Sequence, residues 1–258
     1  DPRQFCLKPV QVEEFLNFVF VNLDQRAPSL RSQMGAIEPE LRSFTPRLDE
    51  LTFSTRLTYH LNANWKNVME NFNECYHCPN AHANLCENAL KIESYKIDLF
   101  EFHQRHHSEG ISPRDAACDY DPRVSEHGDK FGAWYLWPNL ALEVYPGGFL
   151  NVFHVIPSGP EEVVEHVDFY LYHCEPTEQE AVAIKYRHDY VQLEDVALVE
   201  SVQRGLRSRS YVDGRLMVDH ERSDKSEHAV HHIQSLVSGA LSLPTGGLPR
   251  RSDVGPPD

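Results

Sequence analysis

The stretch Asn71-Phe-Asn-Glu-Cys-Tyr-His-Cys-Pro-Asn-Ala-His82 brings together two imidazoles (His77, His82), a carboxylate (Glu74) and two thiols (Cys75, Cys78). Each of these groups can bind a metal ion or move a proton. On an unbroken helix the step from His77 to His82 turns the side chain by about 140°, so the rings meet at one ion only if the helix breaks. Pro79 lies between them, has no N–H, and is expected to supply that break. Two histidines and a distant carboxylate on one face of an ion form the ligand set of non-haem iron(II) oxygenases, with positions left open for substrate and dioxygen. A zinc knot of Cys75, Cys78, His77 and His82 is the competing reading. Its geometry is poor because adjacent side chains diverge, and no second paired-ligand knuckle lies elsewhere.

The balance of 24 basic against 39 acidic residues gives a net charge of −15. Phosphate backbones and anionic membranes need clustered Lys and Arg, so neither a nucleic acid nor a membrane is expected as partner. No apolar run is long enough to span a bilayer, and the opening Asp-Pro-Arg-Gln-Phe-Cys lacks the pattern of a signal peptide. Six cysteines are too few for a disulfide scaffold. Cys75 and Cys78, three apart on an expected helix, read as free thiols in a reducing, cytoplasmic setting.

The elements that must position these groups follow from periodicity. Residues 12–24 read as a strand, residues 33–44 as a short surface helix, and residues 51–61 alternate as a half-buried strand. Trp65, Val68, Met69, Phe72 and Tyr76 then recur at helical spacing, giving a helix from Asn64, or a cap at Asn62, to about His77. Residues 92–102 read as a strand and 103–130 as a polar, mobile loop. Three consecutive strands are expected over 131–145, 149–156 and 163–174, with turns at Pro146-Gly-Gly148 and Pro157-Ser-Gly-Pro160. Thr177 with Glu180 forms a capping box opening a helical region to about Arg207, with room for a break. A last helix runs from Asp224 or Ser226 to about Leu241, and residues 244–258 read as a disordered tail. The sum is an α+β fold: an antiparallel sheet of five or more strands with helices on one face and a pocket between them.

The run Asn64-Trp-Lys-Asn-Val-Met-Glu-Asn-Phe-Asn-Glu-Cys-Tyr-His-Cys-Pro-Asn-Ala-His82 resembles the signature of Rieske-type non-haem iron oxygenases. Leu193-Glu-Asp-Val-Ala-Leu-Val-Glu-Ser-Val-Gln-Arg-Gly-Leu206 resembles the segment that supplies that family's third ligand, and Ser226-Glu-His-Ala-Val-His-His232 its C-terminal helix. The resemblance covers about residues 10 to 240. It implies a helix-grip, START-like catalytic domain and a mononuclear Fe(II) held by His77, His82 and Asp195. Spacing alone does not choose Asp195 over Glu194. The family also implies that Glu74 is the catalytic carboxylate linking the metal to a neighbouring subunit's Rieske cluster, in a homotrimer. Asn71 is either a supporting hydrogen-bond donor or a helix-packing amide. His228, His231 and His232 share one helix face and are read as packing and supporting residues.

A Rieske [2Fe–2S] cluster needs two Cys and two His ligands, supplied as Cys-x-His and Cys-x-x-His. The one Cys-x-His here is Cys75-Tyr-His77, and there is no Cys-x-x-His. The expected organisation is therefore the end of a missing Rieske domain (1–24), an iron catalytic domain (25–243) and the tail (244–258). The Glu-Cys-Tyr-His-Cys form most resembles the branch acting on quaternary ammonium compounds, such as the oxygenases of glycine betaine, proline betaine and carnitine. That implies O2-dependent N-demethylation with formaldehyde release, driven by an NAD(P)H-dependent reductase or ferredoxin. A cation without N–H groups needs aromatic faces, for which Trp134, Trp137, Tyr145 and Phe149 are candidates, with Tyr135 beside them. Aromatic-ring dioxygenation is the second reading and a helix-grip ligand carrier without chemistry the third.

Overall fold

The structure, a computed structural model, describes residues 7–110, 130–145 and 149–242. It opens with a hairpin, β1 (Gln11–Phe15) and β2 (Phe18–Asn22). Leu16 and Asn17 adopt φ of 54° and 65°, the paired positive values that close a two-residue hairpin. The single strand expected over 12–24 is thus two strands. The short surface helix expected over 33–44 is also two, α1 (Leu30–Met34) and α2 (Ile37–Phe44), and it is no surface element. Ile37, Leu41 and Phe44 are buried.

The main sheet has seven strands in the order β3-β9-β8-β7-β6-β5-β4, every neighbour antiparallel. These are β3 (Thr52–Leu61), β4 (Lys96–Leu99), β5 (His103–Glu109), β6 (Lys130–Leu136), β7 (Leu140–Val144), β8 (Leu150–Gly159) and β9 (Glu162–Leu171). Six consecutive strands form a meander, and β3 pairs with its last member. Residues 103–109, expected in a loop, are therefore a strand, held by pairing on both sides. The run expected as one strand over 131–145 turns back on itself between β6 and β7. The β8–β9 turn falls at residues 160–161, later than Pro157-Ser-Gly-Pro160 suggested. The Pro146-Gly-Gly148 turn and the 244–258 tail lie outside the described residues.

Between β3 and β4 come α3 (Trp65–Phe72), α4 (Cys78–Ala81) and α5 (Ala83–Asn88). After β9, Thr177 and Glu180 form the expected capping box on α6 (Glu178–Arg187). One π turn (His188–Gln192) then leads into α7 (Leu193–Leu206), and α8 (His228–Ser242) ends the described chain. No helix among the described residues is long and apolar enough to cross a membrane.

Both faces of the sheet are covered, not one. Val68 and Met69 of α3, Ile184 of α6, Val199 of α7 and Ile233 of α8 pack on Tyr135, Phe153 and Val167. The hairpin, α1 and α2 pack on the reverse face against Trp134, Leu136, Leu142 and Val152. Gly132 permits this second layer, since a Cβ there would lie 2.8 Å from both the Phe44 and Trp134 rings. Central strands buried on both faces lose the apolar–polar alternation that marks a half-exposed strand, and β6 is buried from Phe131 to Leu136.

Candidate metal centre

Helix α3 starts where Asn64 accepts a hydrogen bond from the Lys66 N–H at 3.0 Å. It stops at Phe72, short of the expected His77. Asn73, fully buried, is its C-cap: the Met69 carbonyl accepts both the Asn73 backbone N–H at 3.1 Å and its side-chain amide at 2.7 Å. Residues 74–77 leave the helix. Pro79 then sits in the first turn of α4, where its missing N–H costs nothing. It starts a helix where a break was expected. His77 and His82 flank this one-turn helix as its caps, which brings their rings to the same side.

The loss of helix also overturns the free-thiol reading. Cys75 lies in the turn and Cys78 begins α4, with Cα atoms 4.9 Å apart, and the two form a disulfide. That separation is within the normal disulfide range. A zinc knot thereby loses both of its thiolates.

His77 Nε2 and His82 Nε2 are 3.1 Å apart. Asp195 Oδ1, from the first turn of α7, lies 2.9 Å from His82 Nε2 and 3.4 Å from His77 Nε2. Among the described residues no other group of His, Cys, Asp or Glu brings ligand atoms together in this way. A metal about 2.1 Å from each donor would have neighbouring octahedral ligands about 3.0 Å apart, so this triangle fits one face of an ion.

The other ring nitrogens decide what the triangle can hold. Glu74 Oε1 accepts from His77 Nδ1, and Glu74 Oε2 also accepts from the His77 backbone N–H at 3.1 Å. Glu194 Oε2 accepts from His82 Nδ1 at 2.8 Å. A carboxylate on each Nδ1–H fixes the tautomer and turns each Nε2 lone pair inward. Two lone pairs and a carboxylate oxygen facing one point repel unless a cation or proton lies among them. Without metal that proton sits on the rings. Burial works against charge at His77, but Asp195 and Glu74 outweigh it and raise its pKa to about 9. His82 is raised for the same reasons, by Asp195 and then Glu194. Burial opposes the charge of Asp195 too, yet the two histidines hold it well below the usual carboxylate range.

A cavity opens beside the triangle, lined by Phe72, Tyr95, Phe131 and Tyr145 among others. Of the four aromatic candidates from the sequence, Tyr145 alone is placed there. Trp134 is fully buried on the reverse face, donating from Nε1 to Glu40 at 3.0 Å. Trp137 packs near Trp65, and Phe149 joins the core cluster between sheet and helices. Asn71 lines the cavity, but its Nδ2 is buried without a partner, so it makes no hydrogen bond to the ligand rings. His232 meets Gln104 at 3.0 Å and His228 meets Ser226, away from the triangle. Sequence reasoning missed the role of Glu194, Tyr95 and Phe131. Only the adjacency of Glu194 to Asp195 hinted at the first.

A helix-covered antiparallel sheet carrying a two-histidine, one-carboxylate face defines a class of non-haem metal catalytic domain. The family model described as the ring hydroxylating alpha subunit catalytic domain matches residues 48–242, and the chain belongs to this family. It is 33% identical over 242 residues to the carnitine monooxygenase oxygenase subunit of Escherichia coli K12, covering 92% of this chain and 63% of that one. It is 29% identical over 255 residues to the chloroplastic choline monooxygenase of Amaranthus tricolor, covering 94% and 53%. The solved quaternary ammonium Rieske monooxygenase CntA with bound L-carnitine superposes with a TM-score of 0.77 at 30% identity, over 90% of this chain and 60% of that one. Naphthalene 1,2-dioxygenase from a Rhodococcus species shares the fold, with a TM-score of 0.68 at 17% identity over 91% and 67%. The chain spans less than two thirds of the length of these curated relatives.

Proposed function

We propose that this chain is the catalytic domain of an iron- and O2-dependent monooxygenase that removes an N-methyl group from a betaine-type quaternary ammonium compound, such as glycine betaine or proline betaine. The observation that carries the reading is the pair of carboxylates, Glu74 and Glu194, on the outer nitrogens of two histidines whose inner nitrogens meet Asp195. That donor set suits iron(II), and the likeness to carnitine and choline monooxygenases supports an ammonium substrate.

His77, His82 and Asp195 hold the metal. Iron(II) bound there supplies the dioxygen chemistry. Glu74 and Glu194 keep both rings in the binding tautomer and raise their basicity. Tyr95, Phe131 and Tyr145 line the cavity with the aromatic surface that a cation offering no hydrogen requires. In balance, substrate, O2, two electrons and two protons give water and an N-hydroxymethyl compound. Its C–N bond then breaks, the electron pair stays on nitrogen, the hydroxyl proton is lost, and formaldehyde leaves.

The chain offers no ligand set for a [2Fe–2S] cluster. We assign electron delivery to a cluster elsewhere in the whole protein, fed by an NAD(P)H-dependent reductase or ferredoxin. The working assembly is a homotrimer, and Glu74 is the contact between incoming electron and metal site. The description of one solved relative in terms of inter-subunit electron transfer supports this. Turnover of the whole enzyme with glycine betaine or proline betaine should release formaldehyde in step with O2 uptake. Trimethylamine from glycine betaine in place of formaldehyde would move the oxidation to the chain carbon, and a cis-dihydrodiol from an arene would overturn the substrate class.

A further inference from the structure

Arg187, the last residue of α6, carries a buried charge that the metal site does not use. Its side chain is 9% exposed, and its Nε donates to Glu143 Oε2 at 3.2 Å. The guanidinium carbon lies 5.2 Å from the centre of the Phe153 ring, which orients the group. Arg187 lines the cavity beside the metal triangle and also a second, smaller cavity, and Asp195 borders both. Its Nη1 is buried and has no hydrogen-bond partner.

Buried donors are almost always satisfied, and a charged one left bare is costly. The nearby acceptors are already engaged. Glu143 takes the Nε bond. Glu165 of the second cavity accepts from Gln192 at 2.6 Å, and burial raises its pKa to about 7, so it is only about half ionised at neutral pH. Among the described residues Nη1 is therefore an unmet donor, on a side chain that borders both cavities.

We propose that Arg187 anchors the carboxylate of a zwitterionic substrate, so that the site selects ammonium carboxylates over ammonium alcohols. The proposal rests on the oxygenase reading above and deepens it. A carboxylate on Nη1 makes a charge-assisted hydrogen bond of the kind a guanidinium is shaped for. The ammonium end then reaches the side of the metal cavity where Tyr95, Phe131 and Tyr145 stand. A zwitterion adds no net charge to a buried space in which Arg187 is already balanced by Glu143. A simple anion would add one, and choline would leave Nη1 bare.

The test is calorimetric binding of glycine betaine and of choline to the iron(II)-loaded chain. Wild type should bind glycine betaine more tightly than choline. Arg187→Gln alone strands Glu143 in the interior, so the informative comparison is E143Q against E143Q/R187Q. The double variant should lose about 10- to 100-fold in glycine betaine affinity, the range set by one hydrogen bond to a charged group, with choline changed less than about threefold. Equal losses for the two ligands, an unchanged glycine betaine affinity, or a wild type that prefers choline would each overturn the proposal. Formaldehyde release by the whole enzyme reads the parent hypothesis separately. Carboxylate-selective binding without turnover would sink the oxygenase reading and leave the Arg187 subsite standing.

Discussion

Glu194 and Asp195 are neighbours in the chain, and their carboxylates hold opposite nitrogens of the one His82 ring, at 2.8 Å on Nδ1 and 2.9 Å on Nε2. Consecutive helix residues point about 100° apart, so one ring must fit between two diverging side chains. The π turn before α7 ends two residues ahead of the pair, at the kind of helix irregularity that often marks functional sites.

This division of labour sets two different costs. Asp195→Ala removes a donor and should abolish iron(II) binding measured by chelator competition. Glu194→Ala leaves all three donors and releases only the outer nitrogen, so affinity should fall about 10- to 100-fold. Equal losses in the two variants would show that Glu194 is itself a ligand.

The pH dependence follows from His77. Its folded pKa lies near 9, above the ordinary 6.5. The stability it adds to the metal-free chain is complete below about pH 6.5 and is lost as pH rises through about 9. Metal must displace the same proton. The gain in Tm on adding iron(II) should therefore grow from pH 6.5 to pH 9, with affinity rising up to about tenfold per pH unit. His77→Ala and His82→Ala should show no gain at any pH. A metal-induced Tm shift that stays flat across this window would contradict the assignment.

The Cys75–Cys78 disulfide closes a short loop around the turn that carries Glu74 and His77. Chain-entropy reasoning gives about 2 kcal/mol for a loop of this size. C75S/C78S should lower the denaturation free energy by no more than that. It should also weaken iron(II) binding, because Glu74 and His77 flank or lie inside the loop. Denaturant melts and chelator competition on the same preparation would separate the two effects.

Trp134 provides the contrasting case. Its ring packs edge-on against Phe44 at 5.2 Å, and its N–H is spent on Glu40. Trp134→Phe should cost about 1–3 kcal/mol of stability, for lost burial and the lost hydrogen bond to Glu40, which keeps its Arg105 partner, with iron(II) and glycine betaine affinities unchanged. A selective loss of glycine betaine binding would return Trp134 to the substrate site.

Much of the local structure was legible in the sequence. The Thr177–Glu180 capping box, the Asn64 cap and the alternation of β3 depend on residues a few positions apart, where backbone hydrogen bonding and side-chain period act directly. The His77–His82 pair was visible for the same reason, though Pro79 starts the helical turn between them and Asn73 ends the helix before it. Parity along β6 separates Trp134 from Tyr135, but it does not say which side meets the metal. Strands buried on both faces carry no polar residues to mark one. The choice between them came from the hairpin and α2 covering the reverse face.

By itself, then, the sequence determined the ligand-bearing segment, the type of most elements and the likeness to an iron oxygenase family, because those are properties of short stretches; the strand at 103–109, expected as loop, depends on its pairing with β4 and β6. Only the tertiary structure decided that Asp195 enters the triangle while Glu194 steadies His82, and that Cys75 and Cys78 meet. It likewise brought Arg187 to the metal cavity with a bare Nη1. These are convergences of groups as far apart as His82 and Glu194, which the seven-stranded sheet and the helices on it bring within hydrogen-bond reach. No local rule of spacing carries such distances.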